Sequence, residues 1–306
     1  MRFGILVLAV LLAAGVLSIP LSQTVAQDQE SDTRGAFMTS RPKTGTKSST
    51  PNHHRPKSNS GAQASNTGKS TTGGTLGAKN TNTTSDTDKK GPASAPRIGL
   101  GLTLFMRDAN GLAVRVDPTH EFHQGDAVRV LLETNVSGHL YIFNTTDGGS
   151  PVMIYPDAQL DTGGNYLEAH LPVEIPSSMS NREGLRWFRF DEKAGSERLM
   201  FVFSRDPLQG VPIEDDLVKF CAEKKDGCAF RPSAALWGKL QQELNDSPQV
   251  AKATAVDYGI AQTTAEHEAS TRGIGLSKDD PAPSLVLMST SAGSALLVTA
   301  LDLIHK

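Results

Sequence analysis

The chain changes texture at Arg97, and that change limits what it can fold into. Beyond it, Ile98, Leu100, Leu102, Leu104 and Met106 alternate with small or polar residues, which is the period of a strand. The pattern recurs at Val114 and Val116, over 127–134 (AVRVLLET), over 139–144 (HLYIFN) and over 151–155 (PVMIY). Leu167, Ala169, Leu171 and Val173 alternate again, and apolar runs at 185–190 and 199–203 follow. Turn signals separate these runs, among them Asp108 to Gly111, Gly125-Asp126, Ser137-Gly138 and Asp147 to Gly149. Many short strands with frequent turns predict a mainly β domain over 97–306, a β-sandwich of immunoglobulin-like or related type.

Two short helices are expected inside it, within 212–246. The first places acids at Glu214, Asp215 and Asp216, where a helix N-terminus favours them. The second spaces Leu236, Leu240 and Leu244 four apart beside Trp237. Residues 247–282 are polar and poorly periodic and predict a mobile loop. Residues 284–305 predict a closing hairpin around Ser291 to Ser294.

The N-terminal third is of another kind. Arg2, the apolar run 4–17, Pro20 and the small residues before Ala26 predict a signal peptide over 1–26, and hence a periplasmic or extracellular location. Membrane anchoring follows only if that segment stays uncleaved. Residues 27–96 are rich in Ser, Thr, Asn, Gly, Lys and Pro, with Phe37 the only aromatic residue. Such a composition predicts a disordered tether, because it offers too little apolar surface to offset the entropy of ordering. Ten basic and five acidic residues make this stretch basic. With Arg2 and a whole-chain charge of −3, residues 97–306 carry −9. In an envelope, a basic tether would be drawn to anionic polymers or headgroups; it also serves as a plain solvated spacer.

Cys221 and Cys228 are the only cysteines. Export favours a disulfide between them; a redox or metal pair is the alternative, although the spacing is not C-x-x-C.

One stretch carries a family resemblance. FHQGD at 122–126, a hydrophobic strand, GHLYIFN at 138–144 and then Ile154-Tyr155-Pro156-Asp157 follow at close spacing. This resembles the bacterial family catalogued as domain of unknown function 4384, over about 117–208. The resemblance implies a β-rich module of exported or multidomain proteins, found in some relatives beside kinase or peptidase domains. It implies no catalytic residues. The residues themselves have a structural reading. Gly125 and Asp126 turn the chain into a strand, Gly138 enters the next strand in a conformation that other residues resist, and Tyr141, Phe143 and Tyr155 fill a sandwich core ahead of Pro156.

Other chemistry is weakly signalled. Residues 65–71 (SNTGKST) resemble the end of a phosphate loop, but Gln63 stands where a glycine is needed. No G-x-S-x-G elbow occurs. His120 and His123 lie three apart in a turn, not in H-E-x-x-H. Asp147, Asp157, Asp161 and Asn165 lack calcium-loop spacing. Asn82, Asn135, Asn144 and Asn245 begin N-x-S/T sequons that matter only in a eukaryotic secretory route. The expectation is therefore an exported, non-enzymatic binding or accessory module, without cofactor or metal, whose partner is a protein or cell-surface polymer and not nucleic acid. A hydrolase with dispersed catalytic groups is the alternative.

Overall fold

The computed structural model describes residues 22–45, 95–158, 164–224, 228–246, 248–253 and 257–306. The signal segment through residue 21, residues 46–94 of the expected tether, the 65–71 string, Asn82 and Asp161 lie outside the described residues.

The strands of the alternating region build two sheets. The first contains β1 (Gly99–Arg107), β2 (Ala113–Arg115), β4 (Ala127–Thr134), β8 (Val173–Ile175), β9 (Phe188–Arg189), β11 (Gln249–Lys252) and β12 (Leu285–Met288). Its order is β11-β12-β1-β4-β8, with β2 also paired to β1 and β9 to β4. The second contains β3 (Glu121–Phe122), β5 (Gly138–Thr146), β6 (Val152–Tyr155), β7 (Tyr166–Leu167), β10 (Gly195–Ser204) and β13 (Leu296–His305), in the order β3-β13-β10-β5-β6, with β7 beside β5. The protein is a mainly β sandwich.

Alternation decides the faces. Leu100, Leu102 and Leu104 of β1 and Val128, Val130 and Leu132 of β4 point into the sandwich, where they meet Leu140 and Ile142 of β5 and Phe201 and Phe203 of β10. Tyr141 and Phe143 are fully buried, but on the opposite face of β5 from the sandwich core. There they pack with Met200, Val202 and Val298 beneath α2 (Glu214–Ala222) and α3 (Ala234–Asn245). The sandwich-core reading of these two rings is corrected accordingly. Tyr155, half-buried, does pack against the inter-sheet core. Pro156 follows it through a cis peptide bond.

Both expected helices form. Ser233 caps α3 by accepting from the Leu236 N–H at 3.2 Å, and the Trp237 ring meets Phe143 edge-on at 5.9 Å. Cys221 and Cys228 are disulfide-bonded at the end of α2, with Cα atoms 4.6 Å apart.

Four expectations need correction. Residues 27–96 are not a tether throughout: α1 (Ser22–Ser40) is helical, and Phe37 is fully buried beside Ala251, Val286 and Met288. Residues 247–282 hold β11 and α4 (Thr264–Arg272), the latter fixed by a capping box between Thr263 and Glu266. Local chemistry ordered this segment even though its apolar periodicity is poor. Residues 284–305 do not form a hairpin: β12 joins the first sheet and β13 the second, so the connection crosses the sandwich. The alternation over 167–173 is likewise split. His170, at φ 59°, turns the chain from β7 in one sheet towards β8 in the other.

Gly125 has φ 88°, the left-handed geometry expected of a turn, and Asp126 closes it by accepting from the His123 N–H at 2.8 Å. Gly138 is not among the positive-φ residues, so the expectation of a special backbone conformation there is also corrected. Its constraint is a close approach: a Cβ would sit 2.5 Å from the Ser204 carbonyl oxygen and 2.7 Å from Phe203 Cζ. Gly138→Ala must push β10 away from β5 and is expected to destabilise by about 1–3 kcal/mol. Urea unfolding of the variant checks this; an unchanged midpoint would mean that the strands give way freely.

Candidate functional site

The outer face of the first sheet is set by the positions that alternate with the core. On β1 and β4 these are Gly99, Gly101, Thr103 and Phe105, then Ala127, Arg129, Leu131 and Glu133; Glu174 on β8 pairs with Leu131. Arg129, Glu133 and Glu174 are each at most 5 % exposed, so this face is charged yet covered. The cover comes from α1, α4 and the segments flanking them; two ion pairs hold it, and a third lies within the sheet beneath.

The first pair docks the N-terminal segment. Arg41 is fully buried and gives Nε to Glu133 Oε1 at 2.9 Å and Nη2 to Oε2 at 2.6 Å. Its remaining donors go to the carbonyls of Ser277, Asp280 and Pro281 at 3.0–3.2 Å. All five guanidinium N–H groups are therefore used. Glu133 Oε1 also lies 2.9 Å from His170 Nδ1, and Phe37 meets the His170 ring edge-on at 6.0 Å. Among the described residues, the buried His170 Nε2 has no hydrogen-bond partner. The left-handed turn at His170, which moves the chain between sheets, is what brings this ring beside Glu133.

The second pair joins Arg115 to Glu266, whose other oxygen accepts from Thr263 N and Oγ1, both at 2.9 Å. It ties β2 to α4. In the third, Arg129 faces Glu174 at 3.4 Å and stacks over Trp187, with its Cζ 3.9 Å from the ring centroid. Burial pulls the Arg129 guanidinium below its usual value, and Glu174 opposes that shift. Gln262 Nε2 donates to the other Glu174 oxygen at 2.6 Å.

The groove that receives α1 is shaped by small residues. A Cβ on Gly99 would lie 2.8 Å from the Phe37 ring, and one on Gly101 would lie 3.1 Å from it and 2.5 Å from Pro283. Thr33, Phe37 and Arg41 recur every four residues and are all at most 2 % exposed, so they form one buried stripe. Arg34 Nη1 donates to the Pro283 carbonyl at 2.9 Å, and Glu30 accepts from Lys252 N at 3.0 Å.

Residues 121–207 match the model of a family described as Domain of unknown function (DUF4384). This is the family that the motifs at 122–157 resembled. The matched part supplies Arg129, Glu133, His170 and Glu174, whereas Arg41, Arg115 and Glu266 lie outside it. Neither the curated proteins nor the solved structures gave a match.

The residues singled out by sequence fall mainly on structural roles. His120 packs edge-on against Phe122 at 5.0 Å, and the exposed His123 stands 3.9 Å from Asp126. Asp147 accepts from Ser196 N at 2.9 Å, and Asn165 Nδ2 donates to the Leu140 carbonyl at 3.0 Å. Among the described residues no group of three or more His, Cys, Asp or Glu side chains is placed to hold a metal ion. No described helix is long and apolar enough to cross a membrane. Sequence reasoning missed the Arg41–Glu133–His170 cluster. Its one local signal was Phe37, a lone aromatic residue four before Arg41 in a polar segment.

Proposed function

We propose that this chain is an exported, non-enzymatic binding module whose outer-face groove recognises a helical segment of a protein, with α1 as its occupant in cis. The seat of Arg41 carries this reading: a fully buried guanidinium with every donor matched, beside a channel cut for one aromatic ring. A helix laid into a groove by anchors four residues apart is a recurring recognition mode. A partner of this kind would present Phe and Arg at the spacing of Phe37 and Arg41. The export reading rests on the apolar run at 4–17, and the disulfide is compatible with it.

The test uses the secreted chain carrying Phe37→Ala and Arg41→Ala together, which weakens the cis occupant. A fluorescent peptide of residues 27–45 should bind this variant saturably in anisotropy titrations. It should bind the unaltered chain far less, because the tethered helix competes at an effective concentration of about millimolar. Adding Glu133→Ala should abolish capture. Absence of binding, or binding indifferent to Glu133, would overturn the reading.

A further inference from the structure

The cover over the first sheet stops short of one end, and a cleft of about 220 Å³ opens there. Its walls include Arg107, Asp108, Asp126, Ala127 and Arg189. The sheet register explains why these meet. Ala127 pairs with Arg189 across β4 and β9. On its other side, Arg107 lies one residue past the Met106–Val128 pair of β1 and β4. Three side chains thus stand in one row on the outer face, Arg107, Ala127 and Arg189, with the smallest in the middle. Two strand spacings put the arginine Cα atoms about 9–10 Å apart. Both side chains are long enough to converge above Ala127.

Their charge is not spent elsewhere. Among the described residues neither guanidinium has a hydrogen bond or an ion pair, in contrast to the buried Arg41, Arg115 and Arg129. The two carboxylates on the rim are committed to the backbone. Asp108 Oδ1 accepts from Asn110 N at 2.9 Å and Leu112 N at 2.7 Å, and Asp126 Oδ2 accepts from His123 N. The four formal charges cancel, so the cleft exerts little long-range pull on anions. What it offers is local: two forked donors across a small floor, the geometry that suits a planar or tetrahedral oxyanion.

We propose that Arg107 and Arg189 clamp a single carboxylate or phosphate group over Ala127, making this cleft a binding site for an acidic ligand. The site is independent of the α1 groove.

The full chain, labelled with ¹⁵N at arginine, is titrated with inorganic phosphate and separately with glucuronate, against sodium chloride at matched ionic strength. The Nε–Hε signals of Arg107 and Arg189 should shift together and saturate. Arg189→Ala and Arg107→Ala should each weaken binding at least about tenfold, as expected for hydrogen bonds between charged groups. Arg189→Lys, which keeps the charge and loses the fork, should also weaken it. Thermal melts should not move, since both arginines are exposed. Tighter binding of phosphate would assign a phosphate source, and tighter binding of glucuronate a carboxylate source. A response equalled by chloride, or one unchanged in the double alanine variant, would overturn the proposal.

Discussion

Glu133→Ala is expected to cost about 3–5 kcal/mol, the loss typical when one partner of a buried ion pair is removed. The change strips the carboxylate from Arg41, which is fully buried, and from His170 Nδ1. Arg41 keeps its three carbonyl acceptors, but a guanidinium in that position needs a counter-charge. The protein has one way to limit the loss, which is to release α1 and return Arg41 to water. Undocking forfeits the burial of Phe37 and Met38, so the free energy of docking is the ceiling on the damage. Two measurements therefore belong together. The urea midpoint should fall, and amide exchange in α1 should rise more than in β4 or β10. The double variant Arg41→Met with Glu133→Leu should recover most of the midpoint, because apolar replacement of a buried pair is often neutral or stabilising. A Glu133→Ala protein within 1 kcal/mol of the parent, with α1 still protected, would show that the cluster does not hold the helix.

Much of the sandwich was legible because alternation marks which side of a strand meets the core. Leu100, Leu102 and Leu104 and their partners on β4 and β5 lie where that period puts them. The pattern does not say which sheet a strand joins. Thus β12 and β13 read as a hairpin, and the break at His170 was invisible within a run that alternates through it. Alternation also leaves open what lies on the other face. Arg129 and Glu133 occupy polar positions of β4, and only the tertiary fold shows that Trp187 stacks over the first and that Arg41 seats on the second. The docked helix was hidden for an energetic reason. Composition averages over a segment, whereas α1 is held by a few side chains, Thr33, Phe37 and Arg41, whose partners are far away in sequence. The anion cleft was hidden because Arg107, Ala127 and Arg189 come from three strands and meet only through register.

Tyr141→Ala is the second large effect, expected at about 3–5 kcal/mol for an aromatic ring removed from a packed site. The ring is fully buried between β5 and the helical layer, in the cluster with Phe143, Met200 and Leu240. Its hydroxyl accepts from the Leu208 N–H at 2.9 Å, pinning the chain that leads from β10 towards α2. Tyr141→Phe keeps the ring and should lose only about 1 kcal/mol, the net worth of a typical hydrogen bond. The phenol also links stability to alkaline pH. Burial pushes its pKa above the usual tyrosine value, against the opposing pull of Asn165 and the Leu208 amide. A folded-state pKa above the unfolded one means that the neutral phenol's stabilisation is complete below about pH 10. It is then lost as pH rises through the folded-state value. The half-buried Tyr258, raised by its partial burial and then by Asp117 and Asp257, adds a second loss of the same sign. Stability of the parent should therefore fall above about pH 10. The Tyr141→Phe protein, lower at neutral pH, should fall less steeply there, with the Tyr258 contribution remaining. Urea unfolding at intervals from neutral pH upward separates the two variants. Parallel curves for parent and Tyr141→Phe would mean that the phenol ionises as freely in the folded chain as in the unfolded one. A Tyr141→Ala midpoint close to the parent's would remove the ring from the helical core altogether.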